Sequence, residues 1–206
     1  MKKRLAIISL VLFLFLLPVT SYGAVFYDLQ GYNWAQDSIT RLADKGIING
    51  TYPNYYSPGE YVTRGQVCAL IGRIFEICGV GLPAFSDVNE TEYYKDSIAG
   101  LRAIGILSGD YNGYFYPEAP ASRETTMRIA GFMLIRGGFF EAVDENVLLA
   151  YPDGNQVLPE NREYVSALLA GGFIKGDDLG MLSPASYLTR AEAAVILDRI
   201  YTFLHS

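Results

Sequence analysis

Histidine and cysteine, the side chains most used for metal binding and nucleophilic catalysis, are nearly missing. The one histidine, His205, lies in the terminal tail, so a His-based triad and a His-rich zinc site are excluded. Cys68 and Cys78 are the only cysteines. If both lie on one helix, their ten-residue spacing places them about 15 Å apart at about 1.5 Å per residue, beyond the roughly 7 Å that a disulfide tolerates. The expectation is two buried, unpaired thiols. Positive charge is also scarce: 16 basic residues face 22 acidic ones, for a net charge of −6. Nucleic acid is therefore a poor partner, and an anionic ligand would have to be held by local cations against the global field. The pattern calls for no catalytic residue, metal or cofactor. A hydrophobic content of 50% nevertheless marks a folded chain.

Long apolar runs are absent except at the start. Lys2-Lys3-Arg4 precede an apolar run from Leu5 to Leu17, then Pro18 and small residues. Ser21 and Gly23 suit a signal peptidase site, so residues 1–23 read as a secretory signal peptide and the mature chain as starting near Ala24. The run is short for a spanning helix of about 20 residues, so export without lasting membrane insertion is expected. Loss of Lys2, Lys3 and Arg4 removes three of the 16 basic and none of the 22 acidic residues, taking the net charge to −9.

The rest is three copies of one pattern. The segment from Phe26 aligns without a gap on the segment from Phe85 at an offset of 59, matching Asp28, Ile39, Leu42, Gly46, Gly50, Pro58 and Arg64 with Asp87, Ile98, Leu101, Gly105, Gly109, Pro117 and Arg123. The later half of a third copy follows at an offset of 67, with Leu168, Gly172, Gly176, Pro184 and Arg190; one inserted residue separates Asp153 from that frame. The repeats run over 25–83, 84–147 and 148–206. Each reads as helix, loop, helix. Gly46, Gly105 and Gly172, each followed by an apolar residue, mark left-handed helix ends. Thr63, Ser122 and Thr189 cap the second helices, with Gln66 and Glu192 completing capping boxes and Thr125 a weaker partner in copy two. The second helices are apolar on most sides and should be central, with the first helices around them; one pair alone could not bury its faces. Asp28, Asp87 and Asp153 are expected to cap the segments entering the first helices.

Phe-x-Asp, an aromatic some eight residues later (Trp34), Gly-Ile-x-x-Gly, a Pro-bearing loop and Thr189-Arg190-Ala191-Glu192 together resemble the S-layer homology family, over residues 25 to 206. The resemblance implies an all-α fold, three helix–loop–helix repeats packed as a pseudo-threefold bundle around central helices. It further implies a secreted protein at the cell wall or S-layer that binds a secondary cell-wall polysaccharide, often through a pyruvylated sugar, in grooves between repeats. The motif arginine would sit on the ligand's carboxylate. This chain departs from the pattern at Thr63-Arg64-Gly65-Gln66 and Ser122-Arg123-Glu124-Thr125. The aromatic slot holds Trp34, Tyr93 and then Glu160, and a carboxylate there would repel an anion.

Arg64, Arg123 and Arg190 place a cation at the positive end of a helix, a cost of about 0.3–1 kcal/mol. An anion bound there would gain free N–H groups, the helix dipole and a forked guanidinium together. On that reading removal of Arg190 should slightly stabilise the free helix. Gly50, Gly109 and Gly176 would let the loops turn tightly or approach a ligand. Trp34 and Tyr93, with the loop residues Tyr52, Tyr55, Tyr56, Tyr111, Tyr114 and Tyr116, offer rings for sugar faces. The favoured function is non-covalent cell-wall anchoring through a pyruvylated glycan. One alternative is a structural or protein–protein module with degenerate grooves and a surface-protein partner. A glycan hydrolase is the remaining one, disfavoured because no acid pair recurs beside the arginines.

Overall fold

The computed structural model describes residues 24–206; the expected signal peptide lies outside them. Six α-helices follow in order: α1 Asn33–Asp44, α2 Arg64–Ile74, α3 Lys95–Ala103, α4 Arg123–Arg136, α5 Arg162–Ala170 and α6 Arg190–Leu204. Short 3₁₀ turns at Glu145–Ala150, Gly154–Gln156 and Pro159–Asn161 lead into α5. Among the described residues there is no strand, only isolated bridges, and the fold is all-α. No described helix is long and apolar enough to cross a membrane.

The first helices end as their glycines demand. Gly46, Gly105 and Gly172 have φ of 69°, 85° and 71°, a region costly for any residue with a Cβ. The next amide then folds back on the last turn: Ile47 N donates to Leu42 O, Ile106 N to Leu101 O and Phe173 N to Leu168 O. Ile47, Ile106 and Phe173 are buried by that reversal, as the Schellman arrangement predicts.

The second helices α2, α4 and α6 are central, and their apolar faces supply much of the core, from Val67 and Ile71 to Met127, Ile129, Leu197 and Ile200. Packing crosses the copies. α2 packs on α3, α4 on α5, and α6 on α1, so the first helix of the described chain closes against the last. The two sequential crossings use glycine: a Cβ at Gly72 would come within 2.7 Å of Ser97 Cβ, and one at Gly131 would run into the backbone of Tyr164. At the matching point of the closing pair stands Asp198, buried, accepting from Ser38 Oγ and Arg41 Nη1, both at 2.8 Å.

Cys68 sits buried within α2, whereas Cys78 is exposed beyond its end; both are free. The single-helix premise therefore fails. α2 stops at Ile74, and Glu76 takes a left-handed φ of 54° that no helix continues. Burial pushes the Cys68 thiol up to about 12.

Three outcomes are expected. A thiol reagent at pH 8 should label Cys78 alone in the native protein and both thiols after denaturation. Because the folded Cys68 pKa is raised, its contribution to stability is complete below pH 9 and lost as pH climbs toward 12; Cys68→Ala should flatten that decline in thermal melts. Gly131→Ala, which on an open helix face gains about 1 kcal/mol, should instead cost about 1–3 kcal/mol by overpacking against α5, seen as a lower denaturation midpoint.

Candidate functional site

The site begins at the three helix N-termini. Thr63 Oγ1 accepts from Gln66 N, and Gln66 Oε1 accepts from Thr63 N, both at 3.2 Å. Thr189 and Glu192 repeat this reciprocal box at 3.2 and 2.9 Å. Ser122 Oγ accepts from Thr125 N at 3.1 Å, and no side chain returns the bond, because threonine is too short to reach back.

The first two amides of each helix are already taken. Arg64 N and Gly65 N donate to Ala119 O and Pro117 O; Arg123 N and Glu124 N to Ser186 O and Pro184 O; Arg190 N and Ala191 N to Glu60 O and Pro58 O, all at 2.8–3.0 Å. The expected free N–H groups for an anion are thus absent at these ends. Tertiary contacts with another copy's loop satisfy them, and no local pattern shows such contacts.

The arginines complete the same junctions. Arg64 Nε donates to Phe115 O, Arg123 Nε to Leu182 O and Arg190 Nε to Tyr56 O, each at 2.9 Å. The guanidinium of Arg64 lies 4.4 Å from the Phe115 ring centre and that of Arg190 4.5 Å from Tyr56. Arg190, only 9% exposed, also donates from Nη2 to Asn49 O at 2.9 Å. Charge-assisted bonds contribute about 1.5–3 kcal/mol each, against about 0.3–1 kcal/mol for a cation at the positive helix end. The arginine therefore stabilises the fold, and the expected small gain on removing Arg190 is reversed.

Asp28, Asp87 and Asp153 hold these loops from the other side instead of capping the first helices. Their carboxylates accept from Tyr56 N and Ser57 N, Phe115 N and Tyr116 N, and Leu182 N and Ser183 N, at 2.6–2.9 Å. Ser57, Tyr116 and Ser183 have φ of 58°, 58° and 50°, an uncommon region for residues other than glycine. The spacing of Asp to these amides, 28 to 30 residues, hid the role from local reading.

Each loop with its neighbours frames a groove. The first, about 420 Å³, takes Asn49, Gly50 and Thr51 from its loop, Gln66 and Arg73 from α2, Tyr93 from copy two and Arg190 from copy three. Another, about 370 Å³, joins Lys175, Gly176 and Asp177 to Glu192 and Arg199 of α6, Arg123 of copy two and Trp34 of copy one. The hollow beside the copy-two loop gathers Arg64, Gly109, Asp110, Tyr114 and Tyr116 and has no aromatic from another copy. Glu160 is exposed and not among its walls. Trp34 and Tyr93 stand 57% and 58% exposed, rings available on a groove rim. Partial burial raises the Tyr93 phenol, so it stays a neutral donor at physiological pH.

Gly50 lines the first groove, but its missing Cβ is required by the loop itself, 2.5 Å from Tyr55 O and 3.0 Å from Phe26 Cε1. Gly109 and Gly176 are crowded in the same way by Gly113 and Gly180. Among the expected loop rings, Tyr56 is buried, its Oη donating to Arg190 O at 3.0 Å; burial pushes its pKa up to about 12, against the pull of Arg190. It is a core ring, not a sugar platform. Tyr52, Tyr55, Tyr111, Tyr114 and Tyr116 remain exposed.

Sequence reasoning missed a second set of cations. Arg73 Nη1 donates to Ile47 O, Arg128 Nη1 to Ile106 O and Arg199 Nη1 to Phe173 O, at 2.6–3.0 Å. Arg73 and Arg199 occupy the same repeat position; copy two has Phe132 there, and Arg128 reaches the matching carbonyl from one turn earlier. That mismatch broke the pattern that would have revealed them.

An all-α repeat ring with grooves assembled from several copies defines a class of modular repeat domain. The S-layer homology domain family matches residues 25–68, 84–126 and 150–194. The chain belongs to that family. It is 27% identical over 189 residues to the surface-layer 125 kDa protein of Lysinibacillus sphaericus, covering 89% of this chain and 15% of that protein. It is 29% identical over 178 residues to an amylopullulanase of Thermoanaerobacterium thermosulfurigenes, covering 85% and 9%. Against an S-layer protein of Bacillus licheniformis it is 29% identical over 185 residues, covering 86% and 20%. The chain thus spans a fifth or less of these relatives.

Asp153→Ala should cost about 2–4 kcal/mol by orphaning two loop amides, and Arg190→Ala a comparable amount, both read as lower midpoints in chemical denaturation. A midpoint for Arg190→Ala at or above wild type would restore the view of a strained cation awaiting a ligand.

Proposed function

We propose that the chain is a secreted, non-covalent cell-wall anchoring module, its three repeats at 25–83, 84–147 and 148–206, that binds a pyruvylated secondary cell-wall polymer in its grooves. One observation carries this reading. In an acidic protein, the first groove brings together two cations, Arg73 and Arg190, with the exposed ring of Tyr93 and no acid. Arg190 spends its Nε and Nη2 on backbone carbonyls, while its Nη1 meets only the Gln66 amide at a long 3.4 Å. A carboxylate replacing that contact would receive a charge-assisted bond in a partly desolvated site. The ring of Tyr93 would cover a sugar face.

Family membership supports placement at the cell surface, as do relatives named surface-layer and S-layer proteins. Enzymes among the relatives match over a small share of their length, which fits a module that anchors separate activities and is not itself an enzyme. Trp34, Arg123 and Gly176 form a second groove of the same design, and Arg64 with Gly109 a third that lacks the aromatic wall.

Pull-down of the protein with purified cell walls, before and after chemical removal of pyruvate, tests the reading: binding should fall steeply on removal. Tyr93→Ala should weaken a monovalent pyruvylated fragment about three- to tenfold by calorimetry, with an unchanged melting temperature because the ring is exposed. Equal retention by depyruvylated walls would refute the reading.

A further inference from the structure

The grooves differ in one respect that their shared design conceals. The residue that closes the capping box also faces the groove. In the first groove it is Gln66; in the groove of copy three it is Glu192. The loop position after the groove glycine differs in the same sense: Thr51 follows Gly50, whereas Asp177 follows Gly176 and Asp110 follows Gly109. The first groove is therefore lined by Arg73 and Arg190 with no carboxylate. The copy-three groove sets Arg123, Lys175 and Arg199 against Asp177 and Glu192.

The arginines respond accordingly. Arg123 Nη1 is paired with Glu192 Oε1 at 3.2 Å, and the other oxygen of that carboxylate is fixed by Thr189 N and Thr189 Oγ1 at 2.9 and 2.8 Å. Glu192 is held beside the arginine by its cap. In the first groove the matching contact is the 3.4 Å approach of Arg190 Nη1 to a neutral amide. Glutamine closes the cap as glutamate does, since Thr63 N donates to Gln66 Oε1 at 3.2 Å as Thr189 N does to Glu192 Oε2 at 2.9 Å. Capping therefore does not require the charge.

We infer that the exchange of Gln66 for Glu192, reinforced by Thr51 for Asp177, sorts the grooves by ligand charge. The first groove takes the carboxylate-bearing sugar, and the copy-three groove takes a glycan unit with no anionic group. This rests on the glycan-binding reading above. An incoming carboxylate in the copy-three groove would share Arg123 with a fixed like charge; in the first groove the charged groups on the walls are Arg73 and Arg190 alone.

The test is calorimetric titration of the exported full chain with a methyl hexoside carrying a 4,6-pyruvate ketal, and with the same glycoside lacking the ketal. Wild type should bind the ketal at one site, with affinity falling as salt rises. Gln66→Glu should weaken that site about ten- to thirtyfold, the scale of one unit charge about 8–12 Å from another near a protein surface, at an unchanged melting temperature. Thr51→Asp, remote from the cap, should act in the same direction and guards against a folding defect in the first variant. Glu192→Gln should add a second ketal site. If Gln66→Glu and Thr51→Asp bind the ketal as wild type does while Tyr93→Ala does not, the charge sorting is wrong and groove binding stands. If Glu192→Gln adds no site, the sorting is overturned for the copy-three groove. If wild type binds neither glycoside, both the sorting and the glycan reading fall.

Discussion

Three backbone hydrogen bonds hold the centre of this molecule. Val62 N donates to Leu188 O, Leu188 N to Ala121 O, and Ala121 N back to Val62 O, at 2.9–3.0 Å. Each residue stands just before a cap, so this closed triangle fixes where all three inner helices begin. Because the amides that follow each cap are satisfied by the next copy's loop, no copy can complete its own helix terminus alone. A buried amide without a partner costs about 1–3 kcal/mol, so the copies depend on one another at their most polar point as well as through their apolar faces.

That dependence explains the arginines. A cation at the positive end of a helix is unfavourable only while its surroundings are ignored. Here each guanidinium reaches into a loop of carbonyl oxygens from a different copy, and two of the three lie on an aromatic ring. The aspartates clamp the opposite side of the same loops. Between the two, a short segment with a left-handed residue is held in place without secondary structure of its own. The groove is the space left beside this clamp, and its rigidity comes from bonds that also maintain the fold. The Nε of each arginine serves the scaffold.

The copies have diverged where divergence is affordable to the scaffold. Gly72 and Gly131 let sequential helix pairs approach closely, whereas the closing pair substitutes a buried Asp198 bonded to Ser38 and Arg41. The closing pair thus meets at a polar contact where the two sequential pairs meet at glycine. Residues at and around the grooves vary independently: Trp34 and Tyr93 stand on two rims while Glu160, at the matching repeat position, lies outside the third hollow, and Gln66, Thr125 and Glu192 differ at the cap. One scaffold thus presents three chemically different surfaces.

Local periodicity determined the helices, their glycine ends, the caps Thr63, Ser122 and Thr189, and the central position of the second helices, because each depends on contacts within a few residues or on a stripe of apolar side chains. The repeated motifs likewise marked the family. The sequence also singled out Arg64, Arg123 and Arg190, but not their partners. Which copy each arginine serves, that the helix amides beside it are occupied, that Asp28 clamps a loop 28 residues away and that Arg128 replaces a missing cation were decided only by tertiary structure. The reason is physical: these bonds join segments separated by up to 141 residues, and nothing in a local pattern records which distant carbonyl will face a given donor once the ring closes.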